Sequence, residues 1–130
     1  MASVILDTNA LAMVLTDDVR LPSTAKAAIE RATTAAVSAI TFYEIGQKVR
    51  LGKWDEMAPF VQDLPNIVAE DGFTLIPLHA SQALSAATLP WAHRDPFDRM
   101  IAAVAMAEAA SLISSDVAFD ELQDVTRIWA

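Results

Sequence analysis

The sequence predicts an α/β fold, an α/β/α sandwich of three layers whose central, mostly parallel sheet has about five strands. Three observations predict it. Short apolar runs alternate with helix-like segments along the whole chain, the pattern of strand–helix–strand units. The runs are continuously apolar instead of alternating, so each strand is buried on both faces, as parallel strands are. The chain has 130 residues, 54 % of them apolar, enough for one domain, residues 1–130, with a core of its own. Right-handed crossovers then leave only a few doubly wound arrangements.

The elements follow in order. Ser3 to Leu6 reads as the first strand, and Asp7, Thr8 and Asn9 offer cap side chains before the apolar run Ala10 to Leu15. A helix is predicted from about Pro22 to Ala32 and a second strand over Ala35 to Ala39. Thr41 is expected to cap a helix with Phe42, Ile45 and Val49 on one face, stopped by Gly52. Trp54 to Leu64 reads as helical around Pro59, and Asp71-Gly72 as a turn. Phe73 to Leu78 is the third strand, followed by an alanine-rich helix from Ser81 to Leu89. Asp95-Pro96 opens the longest helix, running to about Ala110 with proline at its first position. Ser111 to Ser114 is a fourth strand, Val117 to Leu122 a short helix and Val125 to Trp129 the last strand.

Seventeen acids against nine Lys and Arg give a net charge of −8, which excludes a polybasic nucleic-acid binder working by bulk charge. The chain has no cysteine, which removes disulfide frameworks, thiolate zinc sites and thiol nucleophiles and suits a reducing compartment. Met1 leads into an apolar run without a basic flank, so no signal peptide is expected. The most apolar stretch, Met100 to Ala107, falls far short of the ~20 residues of a membrane span. A cytoplasmic domain that touches no membrane is the expectation.

In such a sheet, ligands bind beyond the carboxyl ends of the strands. Four acids sit there: Asp7 after the first strand, Glu44 after the second, Asp98 opening the long helix and Asp116 after the fourth strand. Spacings of 37, 54 and 18 residues mean that only the fold can bring them together. Singly, each also reads as a helix cap: Thr41-x-x-Glu44 fits a capping box and Asp95-x-x-Asp98 nearly does. Together they crowd one edge, where at ~5 Å and an effective dielectric near 20 each like-charged pair costs about 3 kcal/mol. Such a site must hold protons or bind a cation, and an oxygen-only cluster suits magnesium or manganese.

These residues carry a family resemblance. Asp7-Thr8-Asn9-Ala10-Leu11 resembles the opening of a PIN domain, and Thr41-Phe42-Tyr43-Glu44-Ile45 its second acidic motif. His93-Arg94-Asp95-Pro96-Phe97-Asp98-Arg99-Met100-Ile101-Ala102-Ala103 is similar to the third motif of the VapC toxins of bacterial toxin–antitoxin pairs. Ile113-Ser114-Ser115-Asp116-Val117-Ala118-Phe119 is similar to the fourth, with Ser114 where these proteins often have threonine; the hydroxyl is kept.

The resemblance implies a PIN-like sandwich and a magnesium-dependent endoribonuclease in which manganese can substitute. Asp7 and Asp98 would ligate the metal directly. Glu44 and Asp116 would complete the acidic pocket through waters or a second ion. Water attack on the phosphodiester would leave a 5′-phosphate and a 3′-hydroxyl. It further implies a homodimer and a cognate VapB-type antitoxin protein whose tail blocks the acidic cleft.

Neighbouring residues have two readings each. Thr8 and Asn9 hydrogen-bond a ligand carboxylate or a phosphate, or Asn9 is a plain cap; Ser114 supports the fourth acid. Asp95 reads as a cap in preference to a ligand. Arg99 contacts an RNA phosphate or pairs with an acid, pairing being the expectation. His93 and Arg94 lie at the pocket rim or are a solvated pair ahead of a helix. Lys48, Arg50 and Lys53 place three of the nine basic residues within six positions, where they steer RNA or simply complement a helix end.

Trp54 to His93 holds five acids and no Lys or Arg, and suits solvent or a basic partner better than RNA. Two other functions stay open. One is a nuclease-fold module that binds RNA or protein without cutting. The other is a phospho-acceptor receiver domain, which needs an acid pair after its first strand and a late lysine; here there is one acid, and the last lysine is Lys53.

Overall fold

A computed structural model of the protein describes residues 3–130. Five strands, β1 (Ser3–Leu6), β2 (Thr34–Ser38), β3 (Thr74–Ile76), β4 (Ser111–Ile113) and β5 (Arg127–Ile128), form one sheet in the order β3-β2-β1-β4-β5. Every pairing is parallel. The chain winds outward from β1 through β2 to β3, then returns to β1's other side for β4 and β5. The order therefore reverses between β1 and β4, which opens a crevice at their carboxyl ends.

Because side chains alternate across a strand, the sheet divides two cores. Val4, Leu6, Val37 and Ile113 face one side, against Leu11 of α1 (Thr8–Leu15), Ala25 of α2 (Ser23–Arg31) and Leu64 and Val68 of α5 (Leu64–Glu70). Ile5, Ala36 and Leu112 face the other, against Ile101, Val104 and Ala105 of α7 (Pro96–Ala107) and Phe119. α3 (Ala39–Arg50) contributes Ile40 to the second core and Ile45, Phe42 and Val49 to the first. α4 (Ala58–Val61) follows a 3-10 turn at Asp55–Met57, and α6 (Ala80–Thr88) packs beside α7.

Five boundaries depart from the sequence reading. Thr41 does not cap α3. The helix begins two residues before it, Ser38 Oγ accepts from the Ile40 amide at 3.3 Å, and Thr41 is fully buried. Residues 64–70 are helical, beyond the Leu64 end of the predicted segment; Pro65 lies in α5's first turn, where a missing N–H leaves nothing unsatisfied. The long helix ends at Ala107 instead of about Ala110, because Ala109 takes a left-handed φ of 50° and turns the chain into β4. Gly52 does stop α3. Its φ is 71°, and the Gly52 and Lys53 amides bond back to the Val49 and Lys48 carbonyls. The third and fifth strands are shorter than expected, three and two residues.

Candidate active site

Asp7, Glu44 and Asp116 lie on elements that follow β1, β2 and β4, and Asp98 lies in the first turn of α7, which follows α6. Asp7 ends β1 and caps α1: its Oδ1 accepts from the Ala10 amide at 2.8 Å, and its own amide donates to the Ile113 carbonyl of β4. The side chain sits in the crevice, 5 % exposed. Burial pushes its pKa up to about 6, against hydrogen bonds from Ser114 and Ala10, and the charges of Asp98 and Glu44 push the same way. Asn9 lies inside α1 and is exposed, so it is not the cap.

Glu44 is equally buried and fully engaged. Thr8 Oγ1 donates to its Oε1 at 2.6 Å and Lys48 Nζ to its Oε2 at 2.8 Å. The Thr8 and Thr41 hydroxyls meet at 3.2 Å, which explains why both are buried. Glu44 thus belongs to no capping box. Lys48, 5.4 Å from the centre of the Trp54 ring, is a partner of Glu44, whereas Arg50 and Lys53 point into solvent.

Asp95 caps α7 through the Phe97 and Asp98 amides, as its cap reading anticipates. That leaves Asp98, on the first turn, free to face the crevice, where its Oδ2 lies 2.8 Å from His93 Nε2. Burial raises the Asp98 pKa, the His93 hydrogen bond lowers it, and the charges of Asp95 and Glu44 raise it further. His93 itself is raised, first by the same hydrogen bond. Asp116 caps the 3-10 helix Val117–Glu121 through the Ala118 amide, and its own amide donates to the buried Ser114 hydroxyl at 3.0 Å.

One ligand atom from each of His93, Asp98 and Asp116 lies within 4.8 Å of the others, the one such group among the described residues. The tight set is therefore two of the four expected acids plus a histidine. Asp7 and Glu44 adjoin it closely enough for their charges to act on Asp98 and each other. The donor chemistry fits a divalent cation. Carboxylate oxygens dominate, two of the carboxylates are raised by burial and mutual charge, and one imidazole is compatible with manganese as well.

Sequence reasoning missed His93 as a member. The available signal was its place five residues ahead of Asp98 in the same loop-to-helix turn. It also assigned Arg99 the wrong partner. Arg99 pairs with no acid; its five guanidinium N–H groups all reach backbone carbonyls, those of Ala86, Ala87, Leu89, Trp91 and His93. None is left over for a phosphate. Arg94 is exposed.

A cleft of about 280 Å³ runs along α1, lined by Asn9, Met13, Arg20, Trp54 and Ser115 among others, and none of the four acids lines it. Among the described residues no helix is long and apolar enough to cross a membrane.

Comparison with known proteins gives a consistent picture. No curated protein is significantly similar in sequence. Among solved structures, the chain resembles VapBC2 from Rickettsia felis bound to a DNA fragment from its promoter. The match has TM-score 0.69 and 18 % identity, and covers 98 % of this chain and 99 % of that one. A toxin–antitoxin complex from Klebsiella pneumoniae matches with TM-score 0.66 and 21 % identity over 95 % of each chain. VapBC-5 from Mycobacterium tuberculosis, a member of the VapBC family of toxin–antitoxin systems, matches with TM-score 0.65 and 21 % identity over 98 % of each chain. The model of the PIN domain family matches residues 4–125, and with its parallel sheet and acidic crevice the chain belongs to that family.

Proposed function

We propose that the protein is the toxin of a type II toxin–antitoxin pair, an endoribonuclease dependent on magnesium, with manganese able to replace it. PIN domains are generally nucleases. The observation that carries the reading is the convergence of Asp7, Glu44, Asp98 and Asp116 on the crevice where the strand order reverses. Sequence separation gives no reason for that meeting, and burial makes it costly unless a cation offsets the charge.

Asp98 and Asp116, with Asp7 beside them, would hold the cation. When bound, it supplies charge neutralisation, activation of a water and stabilisation of the charge that builds on the phosphodiester. The chain's own residues do the rest. Thr8 and Lys48 hold Glu44 in one orientation, and the Ser114 hydroxyl links the Asp7 carboxylate to the Asp116 backbone amide. Of the five basic residues that could contact RNA, Arg50, Lys53 and Arg94 are exposed and available, whereas Lys48 and Arg99 are occupied.

An antitoxin partner is supported by the solved relatives, which are toxin–antitoxin assemblies. A homodimer and a cytoplasmic location complete the reading. Incubation of total RNA with the purified protein tests it. Cleavage in magnesium that EDTA abolishes, giving 5′-phosphate ends, is the expected result. RNA binding without cleavage would favour the non-cutting module, and metal-independent cleavage would remove the acids from the chemistry.

A further inference from the structure

We propose that Arg99 is a positioning residue for the acidic centre. Its clamp on residues 86–93 sets His93 against Asp98, and so fixes which Asp98 oxygen is left to face a cation. The evidence is the course of that segment. It runs from the last turn of α6 into an irregular stretch ahead of α7, and Arg99 gathers carbonyls from both parts: Nε on Ala86 at 2.9 Å, Nη2 on Leu89 at 2.5 Å, and Nη1 on both Trp91 and His93 at 2.8 and 2.9 Å. The last of these carbonyls belongs to the residue whose ring reaches Asp98, and Asp98 is Arg99's neighbour in α7. The loop is thereby referenced to the helix that carries its target.

A second anchor acts from the other acid. The Trp91 ring lies 4.7 Å from the His93 ring and 5.6 Å from that of Phe119, which is fully buried, and Trp91 Nε1 donates to Glu121 at 2.9 Å. Phe119 and Glu121 belong to the 3-10 helix that Asp116 caps. The His93 imidazole is therefore held between the elements bearing Asp98 and Asp116. Its bond engages Asp98 Oδ2, so Oδ1 would be the oxygen left to face a cation, the role that outer partners play around metal-binding carboxylates. A lysine cannot substitute, because an ammonium has three donors on a point charge whereas the planar guanidinium spreads five.

The cation part of this inference rests on the proposed metal site; the His93 part does not. Two measurements separate them. The first is the imidazole ¹⁵N spectrum of the metal-free protein. The hydrogen-bonded Nε2 signal of His93 in the wild type should move to that of a free imidazole in Arg99→Lys, with Trp91→Leu as the second variant should Arg99→Lys not fold. The second is calorimetric titration with Mn²⁺ alone. Arg99→Lys and His93→Gln should each weaken binding about tenfold, the lower end for outer partners of a metal site. The double variant should be no weaker than the worse single one, since both act through one bond. A His93 signal unchanged in a folded Arg99→Lys or Trp91→Leu protein overturns the proposal, as do additive losses in the double variant. Wild-type protein that binds no Mn²⁺ overturns the metal site while the ¹⁵N comparison still decides the role of Arg99.

Discussion

Asp7 is both a helix cap and a buried charge, and the two roles pull its chemistry in opposite directions. The Ala10 amide favours the carboxylate; burial and its acidic neighbours favour the acid, and the balance sits near pH 6 against an ordinary 3.8. An acid raised on folding lends stability below its unfolded pKa and loses it as pH rises through the folded value. Without divalent cations, the wild type should therefore become less stable relative to Asp7→Asn between pH 4 and pH 6. The upper bound is about 3 kcal/mol for a shift of this size. Urea unfolding of both proteins at several pH values checks this, and parallel pH profiles would show that Asp7 is not held near neutrality. Asp18, held low by Arg20, and Asp120, held low by Arg127, respond only below about pH 4, outside that window. A second expectation concerns Thr8. Replacing it with valine removes the 2.6 Å bond to Glu44 and should destabilise by about 1–3 kcal/mol, the usual cost of a buried polar group losing a partner. An unchanged urea midpoint would mean that Lys48 alone satisfies Glu44. Asp7, Glu44 and Asp116 were legible as residues because each comes soon after a strand, and Asp98 because it opens the long helix behind a proline. His93 and Arg99 were not, because their partners are set by the path of an irregular segment, which no periodicity encodes.

At the scale of the element, the departures from sequence reasoning share a cause. Thr41 carries a signal that is right in kind but displaced: a hydroxyl does cap α3, though it is that of Ser38. Thr41 is claimed by Thr8 across the crevice, a contact between residues 33 apart that local patterning cannot register. Ala109 shows the reverse, an alanine in a conformation that favours glycine. The left-handed region costs a residue with a Cβ about 1–2 kcal/mol, partly offset by the entropy that glycine loses. Ala109→Gly should therefore stabilise the protein by about 0.5–1 kcal/mol, seen as a higher urea midpoint at an unchanged slope. A lower midpoint would show that the packing around Ala109 outweighs its backbone strain.

For the whole molecule, the fold class and five strands follow from the alternation of apolar runs. The strand order does not, because the four acids' spacings are silent about which strands neighbour β1. Yet that order decides where the site can form, since the reversal between β1 and β4 is what opens a crevice at the carboxyl ends of those strands. The net charge of −8 takes on a local meaning in that setting. Part of it is concentrated where a cation would offset it, and with Lys48 and Arg99 occupied the protein has few free cations to hold RNA by charge alone. Catalysis, more than affinity, then has to distinguish this protein from a binding module. The most direct measurement is the rate of cleavage of one RNA pool in magnesium by the wild type and by Asp98→Asn, which keeps the shape of the side chain and removes its charge. The account predicts a fall of at least about a hundredfold through loss of metal-centred catalysis; equal rates in the two proteins would contradict it.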